Sequence, residues 1–311
     1  MKKRAVSSLL AVLAVVSFIL PALATEPFEY AEPPEKAGAL VVAEPDAENG
    51  LESFIYLDGA PQFLEYELRG DTTYVTVNSF VSMIDPQAVV EEEDGVVTVS
   101  SARVEEVVDE EGNTAGVVQE TLSMTVSTQV PYIVANDRYL YAKDCITNVN
   151  DRVAVPIRKL AQVFNLDVDY DAEADVVLLA HNEDAGAYLL PGDSYYDEDA
   201  LFWLSRIIYA ESGDQSLEGM IAVGNVVMNR VESPQFPNNI YDVLTQKNQF
   251  SPANTLSKRT PNSRSIVAAK LVMDDAVVLP TALFFNMKGM NCYASRNRPY
   301  VTTIGCHDFF A

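Results

Sequence analysis

"IIYAESGDQSLEGMIAVGNVVMNR", residues 207–230, places a glutamate where an apolar stripe ends. Upstream, Leu201, Leu204, Ile207 and Ile208 recur at three- and four-residue spacing, the period of an amphipathic helix with one buried face. Glu211 falls four after Ile207 and three after Ile208, so it lies on that face rather than opposite it. A carboxylate aimed at apolar neighbours is costly unless it is paired, protonated or lining a cleft. From the residues alone two readings stand. Either Glu211 is a helix-end glutamate that reaches water or pairs with Arg206 or Arg230, or it is an acid held in a cleft.

The 311 residues have room for two domains. Lys2, Lys3 and Arg4 precede the apolar run "AVSSLLAVLAVVSFIL", and Pro21 with "ALA" follows. A basic start, a short apolar core and an Ala-x-Ala ending predict a signal peptide over 1–24, cleaved after Ala24. No second apolar run approaches the roughly 20 residues that span a bilayer, so no membrane span is expected after cleavage. Charge is divided unevenly: residues 1–200 carry a balance of −26 and residues 201–311 one of +2. The acidic front would repel phosphates and argues against a nucleic-acid partner. The shift in composition marks a domain boundary.

Residues 25–50 are rich in Pro, Glu and Ala and predict a flexible acidic lead-in. From Phe54 to Ala180 short β-type runs dominate, such as "TTYVTV", "GVVTVS" and "ADVVLLA". Within them the segment from Asp71 aligns with the segment from Asp151 at a gapless offset of 80. Val75 matches Val155, Val77 matches Ile157, Phe80 matches Leu160, Ile84 matches Phe164 and Val97 matches Val177. Each copy reads strand, short helix, strand, acidic turn, strand. The second copy resembles the copper amine oxidase N-terminal-like, or stalk, domain through Val155-Pro156-Ile157-Arg158 and Tyr170-Asp171. The resemblance implies a spacer or binding module over 51–181. No copper is expected, because the only histidines, His181 and His307, stand far apart and outside any metal-ligand spacing.

A linker over 182–196 carries Gly186, Pro191, Gly192 and several acids, and a second domain is expected over 197–311. Asp199 is the expected cap of its first helix. This domain resembles the SleB/CwlJ-type cell-wall hydrolases. The resemblance rests on Tyr209-Ala210-Glu211-Ser212-Gly213-Asp214, Glu218-Gly219, Asn229-Arg230, Phe236-Pro237 and Gln246-Lys247-Asn248-Gln249-Phe250-Ser251. It continues at the end of the chain through Phe285, Asn286, Arg298, Ile304, Gly305, His307 and Phe309. The sequence departs from the family pattern at Met220, where a glutamine is usual, at Asp214, where a glutamate is usual, and in lacking tryptophan near Tyr293–Arg298.

The resemblance implies a multidomain chain: an α+β, β-rich stalk-like repeat domain followed by a mainly α, lysozyme-like catalytic domain. It implies an exported peptidoglycan-cleaving enzyme at the wall of a Gram-positive-type bacterium, acting in wall or spore-cortex remodelling and germination. Its partner is the glycan strand, cut at the β-1,4 bond between muramyl and glucosaminyl sugars, with no cofactor and no metal. Glu211 is then the general acid/base of a lytic transglycosylase. Asp214 is a second acid or the cap of the helix starting at Leu217. Asn229, Arg230, Asn286 and His307 are candidate substrate contacts, and Tyr209 and Phe250 are candidates to stack on sugar rings or to fill the core. Cys292 and Cys306 are expected as a disulfide or as buried thiols. The alternative function is a catalytically inactive wall-binding or spore-surface protein.

Overall fold

The computed structural model describes residues 54–108, 114–143, 145–182, 184–247, 250 and 253–311, with the strand residues 5–6 and 40–41. The expected signal peptide and lead-in fall almost wholly outside these residues. The chain divides into two compact units, residues 1–131 with 143–189, and residues 132–142 with 190–311.

The first unit is built mainly from strands of three to six residues, with two longer ones of 13 and 14. They are β1 (Ile55–Leu57), β2 (Ala60–Gln62), β3 (Tyr66–Arg69), β4 (Thr72–Thr76), helix α1 (Val77–Ile84), β5 (Val89–Glu93), β6 (Val96–Val108) and β7 (Thr114–Ser127). In the second unit a hairpin follows, β8 (Tyr132–Ala135) and β9 (Arg138–Tyr141). The first unit then resumes with β10 (Thr147–Val149), β11 (Arg152–Pro156), α2 (Ile157–Val163), β12 (Leu166–Asp171) and β13 (Val176–His181). Four two-residue turns, Asp58-Gly59, Asp94-Gly95, Asn136-Asp137 and Asn150-Asp151, have positive φ at both positions. This is the turn whose twist matches flanking antiparallel strands, and it favours Gly, Asn and Asp.

The two segments aligned at the offset of 80 share one element order: β4–α1–β5–β6 and β11–α2–β12–β13. Strands β4 and β11 pair antiparallel with Val75 opposite Val155. Phe80 and Phe164 meet in the core with ring centroids 5.9 Å apart. Beside them Asp85 is buried and accepts hydrogen bonds from Ser101 and Tyr188. Burial and that carboxylate push the Tyr188 phenol well above its usual range.

The second unit is mainly helical: α3 (Gly192–Tyr195), α4 (Glu198–Ser212), α5 (Leu217–Glu232), α6 (Ile240–Thr245), α7 (Ala253–Leu256) and α8 (Ser263–Met273). It closes with β14 (Phe284–Met287), α9 (Tyr293–Asn297), β15 (Tyr300–Ile304) and β16 (His307–Phe310), in the sheet order β14-β16-β15. Helix α4 is capped by Asp197, not Asp199: the Asp197 carboxylate accepts from Ala200 N at 2.7 Å. Helix α5 is the axis of the unit, with every residue from Gly219 to Val227 buried. One side packs on α4 and α8 around Ile207, Ile208, Met220, Val223, Ala268 and Val272. Another packs Ala222 and Val226 against Phe309 of the sheet. Gly224 allows the close approach, since a Cβ there would sit 2.8 Å from Val272 Cγ2 and 3.1 Å from Ile208 Cδ1.

The β8–β9 hairpin lies inside the stretch 51–181 expected as one domain, yet it groups with the helical unit. Tyr132, Tyr139 and Tyr141 pack on the helical core. Arg138 and Asp274, both buried, form an ion pair, and Tyr196 donates to the same carboxylate.

Candidate active site

Glu211 stands in the last turn of α4, half-buried, where the stripe of Ile207 and Ile208 meets the turn to α5. That turn is tightly fastened. Gly213 N bonds back to Tyr209 O at 3.1 Å, and a Cβ at Gly213 would meet that carbonyl at 2.6 Å. Gln215 N bonds to Ser212 O at 2.9 Å, and Ser216 Oγ accepts from Gly219 N at 3.2 Å as the cap of α5. The capping role considered for Asp214 therefore belongs to Ser216, which leaves the exposed Asp214 beside the cleft. The loop before α8 clamps the turn from outside. Asn262 Nδ2 donates to Gly213 O at 3.3 Å, and Arg264 Nη2 donates to Gln215 O at 2.9 Å.

These segments enclose a cleft of about 470 Å³ lined by Tyr209, Glu211, Gly213, Asp214, Arg259 and Asn262, with Ala210. His307 starts β16 nearby, buried between Phe285 at 5.1 Å and Phe309 at 6.2 Å. Burial holds its imidazole below the ordinary pKa, and the charge of Asp214 pulls the other way. Its Nδ1 has no hydrogen-bond partner among the described residues. Gln215 Oε1 accepts from Cys306 N at 3.1 Å, joining the α4–α5 turn to the β15–β16 turn. Tyr209, Glu211, Asp214 and His307 thus gather at one end of α5.

The other predicted residues lie elsewhere. Asn286 pairs across the sheet with Asp308, while Met287 pairs with His307, so alternation puts Asn286 on the opposite face from His307. Asn229 and Arg230 are thirteen residues or so along α5 from its first turn, roughly 20 Å at the helical rise. Asn229 Nδ2 donates to Leu279 O and Ala282 O, both at 2.9 Å. Arg230 is 3% exposed, donates from Nε to Leu283 O at 2.7 Å, and lies against the rings of Phe236, Phe250 and Phe284. Burial lowers its pKa to about 10. Arg230 is therefore not the partner of Glu211, and Arg206 donates from Nη1 to Phe202 O. Phe250 belongs to this packed end, 6.3 Å from Phe285. The three cysteines, Cys145, Cys292 and Cys306, are free thiols, and Cys292 uses its sulfur to cap α9.

Two residues of the unit escaped the sequence reading. Asn225, buried in mid-helix, donates to Ala276 O and accepts from Val278 N and Leu279 N, fixing the loop into β14. An amide inside the apolar run "IAVGNVVM" was its signal. Arg259 lines the cleft, but among exposed basic residues nothing in the sequence sets it apart.

The family described as cell wall hydrolase matches residues 214–310, a span that opens three residues after Glu211. The spore cortex-lytic enzyme of Bacillus subtilis (strain 168) is 31% identical over 72 residues, covering 23% of this chain and 23% of that protein. The chain thus matches under a quarter of that relative's length. Among solved structures, the catalytic domain of the germination-specific lytic transglycosylase SleB from Bacillus anthracis is 26% identical. It covers 39% of this chain and 100% of that one, with a TM-score of 0.35. The catalytic domain of the Bacillus cereus SleB protein is also 26% identical, over 37% and 92% of the two chains, with a TM-score of 0.34. Residues 214–310 of this chain belong to the cell wall hydrolase family.

Proposed function

We propose that this protein is an exported enzyme that cuts the glycan strands of peptidoglycan, with Glu211 as its general acid/base. The observation that carries this reading is the position of Glu211. It is a half-buried carboxyl that lines a polar cleft, beside a fastened turn that leads directly into the family-matched domain. In the first step Glu211 donates its proton to the glycosidic oxygen as the bond to the muramyl C1 breaks, and positive charge develops at that carbon. In the second, the C6 hydroxyl of the same muramyl sugar attacks C1 and returns a proton to Glu211. The product is a 1,6-anhydro end, and no second carboxylate is required to activate water. Asp214, charged and close by, is suited to stabilise the developing cation.

The similarity to a spore cortex-lytic enzyme supports the spore cortex as substrate, with the vegetative wall as the alternative. The same reading makes the helical unit lysozyme-like. The first unit is then a stalk made by duplication, supported by the shared element order and by Val75 facing Val155.

The test is Glu211→Gln on purified peptidoglycan. Loss of the transferable proton should lower muropeptide release about 10²- to 10⁴-fold at unchanged melting temperature. Mass spectrometry of the wild-type products should find anhydro-muramyl ends. Near wild-type turnover by the folded variant would remove Glu211 from the mechanism.

A further inference from the structure

We propose that Arg259 is a specificity-determining residue of the cleft, and that its guanidinium receives a carboxylate carried on the lactyl arm of the muramyl sugar being cleaved. The proposal rests on the peptidoglycan reading above.

Among the described residues lining the cleft, Arg259 is the sole cation, and the carboxyls of Glu211 and Asp214 share that lining. Two other polar side chains of the lining are engaged. Asn262 uses its amide on Gly213 O and its Oδ1 on Ser265 N and Oγ, and Asp214 Oδ1 accepts from Gln215 Nε2. The Arg259 guanidinium has no hydrogen bond or ion pair within the described residues, although two carboxyls line the same cleft. Its backbone, by contrast, is fixed: Arg259 N bonds to Leu256 O at 3.0 Å, and Leu256 is wholly buried. Asn262, three residues on, anchors the loop to the catalytic turn. An ordered loop therefore presents an unengaged planar fork beside the acid.

The chemistry of the substrate supplies a match. The sugar whose C1 is attacked bears the lactyl arm, which ends in a carboxylate or in a peptide that carries carboxylates. Such a group meets repulsion from Asp214, and Arg259 offsets it. When Glu211 holds its proton, Asp214 and Arg259 cancel, so the cleft admits an anionic strand in the form of the enzyme that is ready to act. A guanidinium pairs with a carboxylate through two parallel hydrogen bonds, a geometry that an ammonium does not reproduce. The exposed setting makes the effect moderate and salt-dependent.

The experiment compares wild type with Arg259→Gln and Arg259→Lys on three substrates. These are intact peptidoglycan, strands stripped of peptide by an amidase so that only the lactyl carboxylate remains, and peptidoglycan whose carboxylates have been amidated with carbodiimide and methylamine. Arg259→Gln should lose about tenfold in kcat/KM on intact wall, mainly through KM, the scale of one charge-assisted hydrogen bond. Amidation should lower the wild type by a similar factor and leave Arg259→Gln unchanged, with Arg259→Lys in between. A gain by wild type on stripped strands, the only ones with a free lactyl carboxylate, assigns that group as ligand, a loss on them assigns the carboxylates of the peptide, and equal activity that exceeds Arg259→Gln on both assigns a site that takes either carboxylate. The proposal is overturned if amidation slows both proteins equally. It is also overturned if the loss in Arg259→Gln lies in kcat with a displaced pH profile, which would mean that Arg259 acts on Glu211 instead. Absence of turnover by wild type on all three substrates overturns the peptidoglycan reading itself.

Discussion

Helix α5 ends in polar residues on both sides, and the two ends have opposite fates. At its start, Asp214 and the half-buried Glu211 border a cleft, and His307 keeps an unengaged ring nitrogen. At its finish, Asn229 and Arg230 give their hydrogen bonds to the carbonyls of Leu279, Ala282 and Leu283, beneath three phenylalanine rings. Residue type alone does not separate the two. What separates them is their surroundings: Asn229 and Arg230 bond to backbone carbonyls inside the unit, while Glu211 and Asp214 line a cleft. Side chains bonded to interior backbone hold the fold, and side chains that line a cleft can meet a ligand.

The largest contrast is expected between rate and stability. Glu211→Gln should reduce turnover by about 10²- to 10⁴-fold and leave the melting curve in place. A comparable loss of rate in folded Asn229→Ala would break the comparison, because it would bring the far end of α5 into the reaction.

Next comes the buried pair that ties the hairpin to α8. Arg138→Ala leaves the Asp274 carboxylate, which has no exposed side-chain surface, with only the neutral donors Tyr196 and Tyr139 N, and should cost about 3 kcal/mol in denaturant unfolding. For the same reason a fragment that starts at residue 190 lacks the β8–β9 hairpin and should unfold more readily than one that supplies residues 132–142 as well. Equal stability of the two fragments would make the hairpin dispensable.

Asn229→Ala leaves two carbonyls without their donor and should lower stability by about 1–3 kcal/mol, with turnover following the folded fraction.

The smallest effect is one of pH at the open end. His307 is held neutral by burial, so the unfolded chain takes up a proton near 6.5 that the folded one resists. Stability should therefore fall as pH drops from 6.5 towards the depressed folded pKa, and be complete above that window. Thermal melts of His307→Gln should show a shallower slope there. An unchanged slope would assign the acid sensitivity to other groups.

The sequence made some of this legible. Three- and four-residue spacing located α4, and the apolar run after Ser216 located α5, because a helix that packs on one side writes its period into the chain. The caps were displaced: Asp197 caps the helix expected to start from Asp199, and Ser216 takes the capping role that was one of two readings of Asp214, since several acceptors stood close enough to each helix start. The hairpin could not be assigned to its unit, because Arg138 meets Asp274 across 136 positions and nothing near either residue announces the other. Arg259 stayed hidden for a similar reason. Its importance comes from a cleft assembled by separate segments, while along the chain it is one exposed charge among several.

One fastening has a mechanical meaning. The loop before α8 carries Arg259, and through Asn262 and Arg264 it also grips the turn that follows Glu211. Both walls of the cleft hang from one bracket, so Glu211 and Arg259 are spaced before any ligand arrives. The loss of freedom needed to align them is taken when the chain folds and not when a ligand binds, which under the proposed function would leave binding free energy for distorting the sugar instead of assembling the site.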